Sequence, residues 1–121
     1  MSKFVIKETA SGVKFDLLAT NGQVILSSEV YKTHSAARKG IVSIQKSAMD
    51  APVEDQTGED RAAMPNPKFE MYRDKAGQYR FRLKARNGRI VGVSEAYNSR
   101  TGCVNGIESV KINASQAEIE G

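Results

Sequence analysis

Three features of this 121-residue chain predict an α+β fold in which two tandem β-β-β-α(-β) repeats share one antiparallel sheet with helices on one face. The chain repeats itself at an offset of 65 to 66 residues. Each copy alternates apolar and polar residues through three short stretches, the period of a half-buried strand. Each then changes to the 3–4 residue spacing of a helix. With 40% hydrophobic and 26% charged residues, the composition is that of an ordinary globular domain and excludes wholesale disorder.

The first copy sets the pattern. Phe4 and Ile6 alternate with Val5 and Lys7 in a first strand, and a turn follows at Ser11-Gly12. Val13, Phe15, Leu17 and Ala19 share one face of a second strand. Asn21-Gly22 then predicts a two-residue hairpin with positive φ at both positions. A third strand follows at Val24–Ser28. Thr33 or Ser35 caps a helix whose buried stripe is Ala37, Ile41, Ile44 and Ala48.

The second copy repeats each step. Phe69 and Met71 match Phe4 and Ile6, and Gly77 in the turn Lys75-Ala76-Gly77 matches Gly12. Tyr79, Phe81, Leu83 and Ala85 repeat the second strand, Asn87-Gly88 the hairpin, and Ile90–Ser94 the third strand. Ser99 or Thr101 caps the second helix, with the stripe Cys103, Ile107, Val110 and Ala114. The change in offset places one extra residue between Gly77 and Phe81, in a turn where insertion costs little. Gly40 and Gly106 lie mid-helix, where glycine costs about 1 kcal/mol against alanine, so a close approach of helix to sheet is expected.

The domain organisation follows. Residues 1–48 form the first repeat, 49–67 an acidic Pro-containing linker, and 68–121 the second repeat, with one core shared because each unit alone is small. The net charge of +4 divides as +4, −4 and +4 over these segments. The linker carries Asp50, Glu54, Asp55, Glu59 and Asp60 against Arg61, with Pro52, Pro65 and Pro67.

Several function classes lack their residues. A single cysteine, Cys103, excludes an internal disulfide and a thiolate zinc cluster, and on the apolar helix stripe it reads as a small packing residue. His34 is the only histidine, and with no Ser/His/Asp or Cys/His set around it no catalytic residue is assigned. Metal spacing and glycine-rich phosphate loops are missing, so neither metal nor cofactor is expected. The first residues return to charge too soon for a signal peptide, and no apolar run is of membrane-spanning length. The expectation is a cytoplasmic bacterial protein that contacts no membrane.

Lys68-Phe69-Glu70-Met71-Tyr72, Gly77 through Ala85, Asn87-Gly88, Ser94-Glu95-Ala96-Tyr97 and Asn105 through Lys111 together resemble the YegP-like family of bacterial proteins. Both repeats take part, the second more closely. In the first, Lys39 stands where the family's pattern has Asn, and Asp16 and Leu18 replace basic residues. The resemblance implies one continuous sheet in which the last strand of each unit, near Pro52–Asp55 and Ala117–Glu120, is exchanged into the other. It implies no established activity.

Two constellations are candidate sites. Ser28, Glu29 and Tyr31, with Ser94, Glu95 and Tyr97, place a hydroxyl, a carboxylate and a phenol where a strand gives way to a helix. They either converge on a ligand or partner, or serve the corner itself, with Glu bonding backbone N–H groups and Tyr packing on the helix. The second candidate is the row Arg80, Arg82, Lys84 and Arg86, on alternate positions of one strand, with Arg89 past the turn. Such a row can follow the phosphates of a nucleic acid, or form a solvated face. Its first-repeat counterparts, Lys14, Asp16, Leu18 and Thr20, do not keep the charge, so the fold does not demand it. The working expectation is a non-catalytic binding or interaction module using the helix-free face or an exposed edge. Nucleic-acid binding is the alternative, and a protein partner or self-association through sheet edges is a further one.

Overall fold

The computed structural model describes residues 1–58 and 63–121; Glu59, Asp60 and Arg61 of the expected linker lie outside them. In chain order the elements are β1 (Lys3–Thr9), β2 (Gly12–Leu18), β3 (Val24–Ser27), α1 (His34–Ser47), β4 (Val53–Asp55), β5 (Lys68–Arg73), β6 (Tyr79–Lys84), β7 (Ile90–Val93), α2 (Arg100–Gln116) and β8 (Glu118–Glu120). All eight strands join one sheet in the order β4-β5-β6-β7-β3-β2-β1-β8. The two units meet antiparallel at its centre, where Ser27 pairs with Val93.

The exchange implied by the family resemblance is present: β4 pairs with β5 of the other unit, and β8 with β1. Both of these outer pairs are parallel, so the sheet is mixed where an antiparallel one was expected. The reason lies in the connections. Strands joined by a tight hairpin must run antiparallel, whereas residues 56–67 between β4 and β5 are long enough to return the chain to the starting end. The expected linker therefore contains a strand, and its Ala51 is buried.

The turns are also built differently from the two-residue hairpins expected at Asn-Gly. The Gly22 N–H donates to the Ala19 carbonyl and the Ala19 N–H to the Gln23 carbonyl, closing three-residue loops here and at Ala85–Arg89. Only Gly22 and Gly88 take positive φ; Asn21 and Asn87 do not, and accept a backbone N–H two residues on. This is the loop in which a glycine bulge restores the strand twist. The β5–β6 turn has the same form around Gly77, whereas β1 turns into β2 through two residues, Thr9 pairing with Gly12. The extra residue of the second copy is thus in the turn before Gln78. Gln78, not Gly77, is the counterpart of Gly12.

Helix caps fall on Thr33 and Ser99, each accepting an N–H from three residues on at 3.0 Å. The helices pack side by side on one face, and both predicted stripes are buried. Beneath them Phe4 meets Phe15 edge-on at 5.8 Å, and Phe69 meets Phe81 at 5.8 Å. At the junction of the units Leu26 is fully buried, and its counterpart Gly92 makes the space: a Cβ there would lie 2.6 Å from Leu26 Cγ. Among the described residues, no helix is long and apolar enough to cross a membrane.

Candidate functional site

The Ser-Glu-x-Tyr corner is built identically in both copies. The Phe15 N–H donates to Ser28 Oγ at 2.9 Å, and that hydroxyl donates to the Glu29 carbonyl at 2.7 Å. Ser94 repeats both bonds, with Phe81 and Glu95, at the same distances. The chain bulges through Glu29-Val30 and rejoins β2 where Tyr31 pairs with Val13, as Tyr97 pairs with Tyr79. The Tyr31 ring stacks on Phe15 at 6.0 Å, and the Tyr97 ring on Phe81 at 6.2 Å. Each phenol oxygen reaches the helix at Gly40 or Gly106, where a Cβ would collide with it. The mid-helix glycines therefore make room for a tyrosine as well as for the sheet, since a Cβ would also lie 3.2 Å from Phe15 or 3.1 Å from Phe81. Burial, then the neighbouring Glu29 charge, raises the Tyr31 phenol; burial, then Cys103 and Glu95, raises Tyr97. Serine, not glutamate, bonds the corner's backbone, which corrects the structural expectation for Glu29 and Glu95. Both carboxylates are exposed and make no side-chain hydrogen bond among the described residues.

The basic row divides in two. Arg80, Arg82 and Lys84 lie on the helix-free face, each beside a carboxylate. Arg82 Nε is 2.6 Å and Lys84 Nζ 3.3 Å from Glu70, which Lys68 also reaches at 3.3 Å; Arg80 Nε is 3.4 Å from Asp74. Arg82 also lies over the Tyr72 ring at 4.8 Å. Burial by itself raises the Glu70 carboxyl, whose side chain is 4% exposed, but Arg82, Lys68 and Lys84 outweigh it and hold it below the ordinary range. Asp16 is held low likewise against its burial, by Lys7, Ser27 and Lys14. Lys68, Gln56 and the Met64 N–H hold Glu54 at about 2. These buried carboxylates were missed by sequence reasoning, although the cross-strand pairing of Glu70 with Arg82 would have exposed the first.

Arg86 and Arg89 stand elsewhere, on the β6–β7 hairpin facing α1. Between hairpin and helix run two adjoining hollows of about 750 and 620 Å³, sharing Ser43, Ala85 and Asn87. Together they form a groove along α1 lined by Lys32, Lys39, Lys46, Arg86 and Arg89, with the carboxylates Glu29 and Asp50. None of the five cations is ion-paired among the described residues. Tyr31 joins its lining, so this groove gathers Glu29 and Tyr31 of one candidate with Arg86 and Arg89 of the other. The equivalent place in the other half is a hollow of about 390 Å³ at Gln23–Ile25 and Glu95–Tyr97. Sequence reading overlooked Lys32, Lys39 and Lys46 because it sought charge along a strand, not across from one.

Reactive groups are few. Burial pushes the Cys103 thiol up to about 11, keeping it protonated at neutral pH. His34 Nε2 lies 2.8 Å from the Gly121 carbonyl oxygen. Asp55, raised by burial but lowered more by Thr57 and Arg100, stands at about 2 and pairs with Arg100. No group of three or more His, Cys, Asp or Glu able to hold a metal occurs among the described residues.

The pattern of a domain of unknown function (DUF1508) matches residues 9–55 and again residues 74–120. A UPF0339 protein of Methanosarcina acetivorans is 60% identical over 52 residues, which is 43% of this chain and 90% of that protein. The UPF0339 protein YegP of Yersinia pestis is 35% identical over 121 residues, 99% of this chain and 95% of its own. The solution structure of yegP from E. coli, a protein of unknown function, superposes with a TM-score of 0.81 at 28% identity, covering 98% of this chain and 90% of that one.

Proposed function

The chain belongs to the DUF1508 family, whose function is unknown, and from that premise we propose that it is a non-catalytic binding module whose working surface is the groove between α1 and the β6–β7 hairpin. The supporting observation is the concentration there of five cations without carboxylate partners among the described residues, in a molecule that matches most others. Unpaired charge lining a concave surface is poised for a ligand of opposite sign. The helix-free face is a weaker candidate, because Glu70, Asp74 and Asp16 already occupy its cations. The sheet edges are weaker still: β4 and β8 are three residues each and carry acidic side chains, a pattern that discourages strand pairing with a second chain.

Nucleic-acid binding through Arg80, Arg82, Lys84, Arg86 and Arg89 is the second reading. It is favoured by Arg86 and Arg89, the two of the five with no carboxylate partner among the described residues. The test is to purify wild-type protein and the Lys39→Asn/Arg89→Gln variant at low salt and to measure bound anions, nucleic acid and partners together. Anionic material on the wild type and little on the variant is expected. A reproducible turnover lost on substituting Glu29 and Glu95 would overturn the non-catalytic reading.

A further inference from the structure

We propose that the α1–hairpin groove binds an extended chain of phosphates, a deepening that rests on the binding-module reading above. The two repeats supply an internal control. At the residues equivalent to Lys32, Lys39, Lys46, Arg86 and Arg89, the other half carries Asn98, Asn105, Ile112, Thr20 and Gln23. The fold is therefore built equally well without a single one of these charges. Five independent positions, on α1, the segment leading into it and a hairpin distant in sequence, become cationic together only where they face one groove.

The geometry selects a linear ligand. Lys39 and Lys46 are two helical turns apart on one face of α1, about 10 Å along the axis. Arg86 and Arg89 stand across from them on the hairpin, where a guanidinium fork suits a phosphate oxygen pair. Glu29 lies towards one end of the groove and Asp50 towards the other, so the cationic stretch is the middle. There is no stacking platform for bases: the Tyr31 ring is stacked on Phe15 and its hydroxyl sits against Gly40. Recognition there is of charge spacing, not of base identity. A single-stranded nucleic acid backbone and inorganic polyphosphate both offer that chemistry.

Fluorescence anisotropy of the full chain with a labelled oligothymidylate tests this, with inorganic polyphosphate and polyglutamate as competitors. Wild type is expected to bind with a log–log salt slope of about −3, the value for four or five neutralised phosphates on a single strand. The Lys39→Asn/Arg86→Thr/Arg89→Gln variant, carrying residues the other repeat already uses, should lose about tenfold or more in affinity while melting like wild type. Arg80→Gln/Lys84→Gln should lose less than about twofold. Stronger binding of the oligonucleotide than of polyphosphate assigns the phosphodiester source, and the reverse assigns the inorganic one. Equal competition by polyglutamate overturns the phosphate preference but leaves the groove an anion-binding surface. No binding by any of the three, or loss in the Arg80/Lys84 variant instead, overturns the proposal.

Discussion

The hollow beside Tyr31 and the hollow beside Tyr97 occupy equivalent places, one on each side of the β3–β7 junction. The corners that shape them have the same serine bonds, the same stacked tyrosine and the same mid-helix glycine. Their linings differ. The first carries Lys32, Lys39 and Arg89 and continues past Lys46 and Arg86; the second has Gln23 at the place of Arg89, in a smaller space. A repeat separates what a fold requires from what it merely permits. Whatever recurs at both corners is the architecture, and whatever is confined to one was free to be chosen for another reason. On that basis the serines and tyrosines belong to the scaffold, and the lysines and arginines to the surface proposed above for binding.

The largest effects should fall equally on the two halves. Phe15→Ala and Phe81→Ala each remove a fully buried ring that meets both a phenylalanine and a tyrosine, and each should cost about 3–5 kcal/mol in chemical denaturation. A cost confined to one copy would break the equivalence of the cores. Next comes the junction of the units, where the core is asymmetric at Leu26 and Gly92. Gly92→Leu places a second side chain on Leu26 and should destabilise by about 1–3 kcal/mol. Adding Leu26→Gly should recover part of the loss, since the pair then exchanges roles across the junction.

The exchanged edges give a smaller difference. Glu54 on β4 is buried and bonded to Lys68, Gln56 and Met64, whereas its counterpart Glu120 on β8 is exposed and, among the described residues, reaches only Lys3, at 3.4 Å. Carboxyls held low in the folded state stabilise it above their unfolded pKa of about 4.3, and that contribution is lost as pH falls through the folded value. For Glu54 and Asp55 that value is about 2. The melting temperature should therefore be flat down to about pH 5 and then decline towards pH 2. Glu54→Gln should flatten the decline. The smallest effect is expected at the groove: Lys39→Asn, Arg86→Thr and Arg89→Gln should each change stability by less than about 0.5 kcal/mol. A larger loss would show that the charges serve the fold.

How much of this was legible in the sequence depends on the range of the interaction. The strands and buried stripes are local patterns, and Phe15 and Ile41 could be placed from their neighbours alone, whereas the caps were narrowed only to Thr33 or Ser35 and Ser99 or Thr101. The strand exchange was legible only through family resemblance, because Val53–Asp55 has no period long enough to announce a strand. The parallel edges and the three-residue loops at Gly22 and Gly88 depend on where the chain must go next, which local spacing does not encode. The basic row was visible, but Glu70, which neutralises its middle, sits twelve residues from Arg82 on another strand. The groove was hidden for the same reason: Lys39 and Arg89 are fifty residues apart and meet only because the units are joined at β3 and β7.

The claim that charge, not architecture, distinguishes the halves is tested most directly by titrating inorganic polyphosphate into isotopically labelled protein and following backbone amide shifts. Perturbations are expected at Lys39, Ser43, Lys46, Arg86 and Arg89, with Asn105, Ser109, Ile112, Thr20 and Gln23 unmoved. Equal shifts in both sets, or shifts centred on Arg80, Arg82 and Lys84, would contradict it.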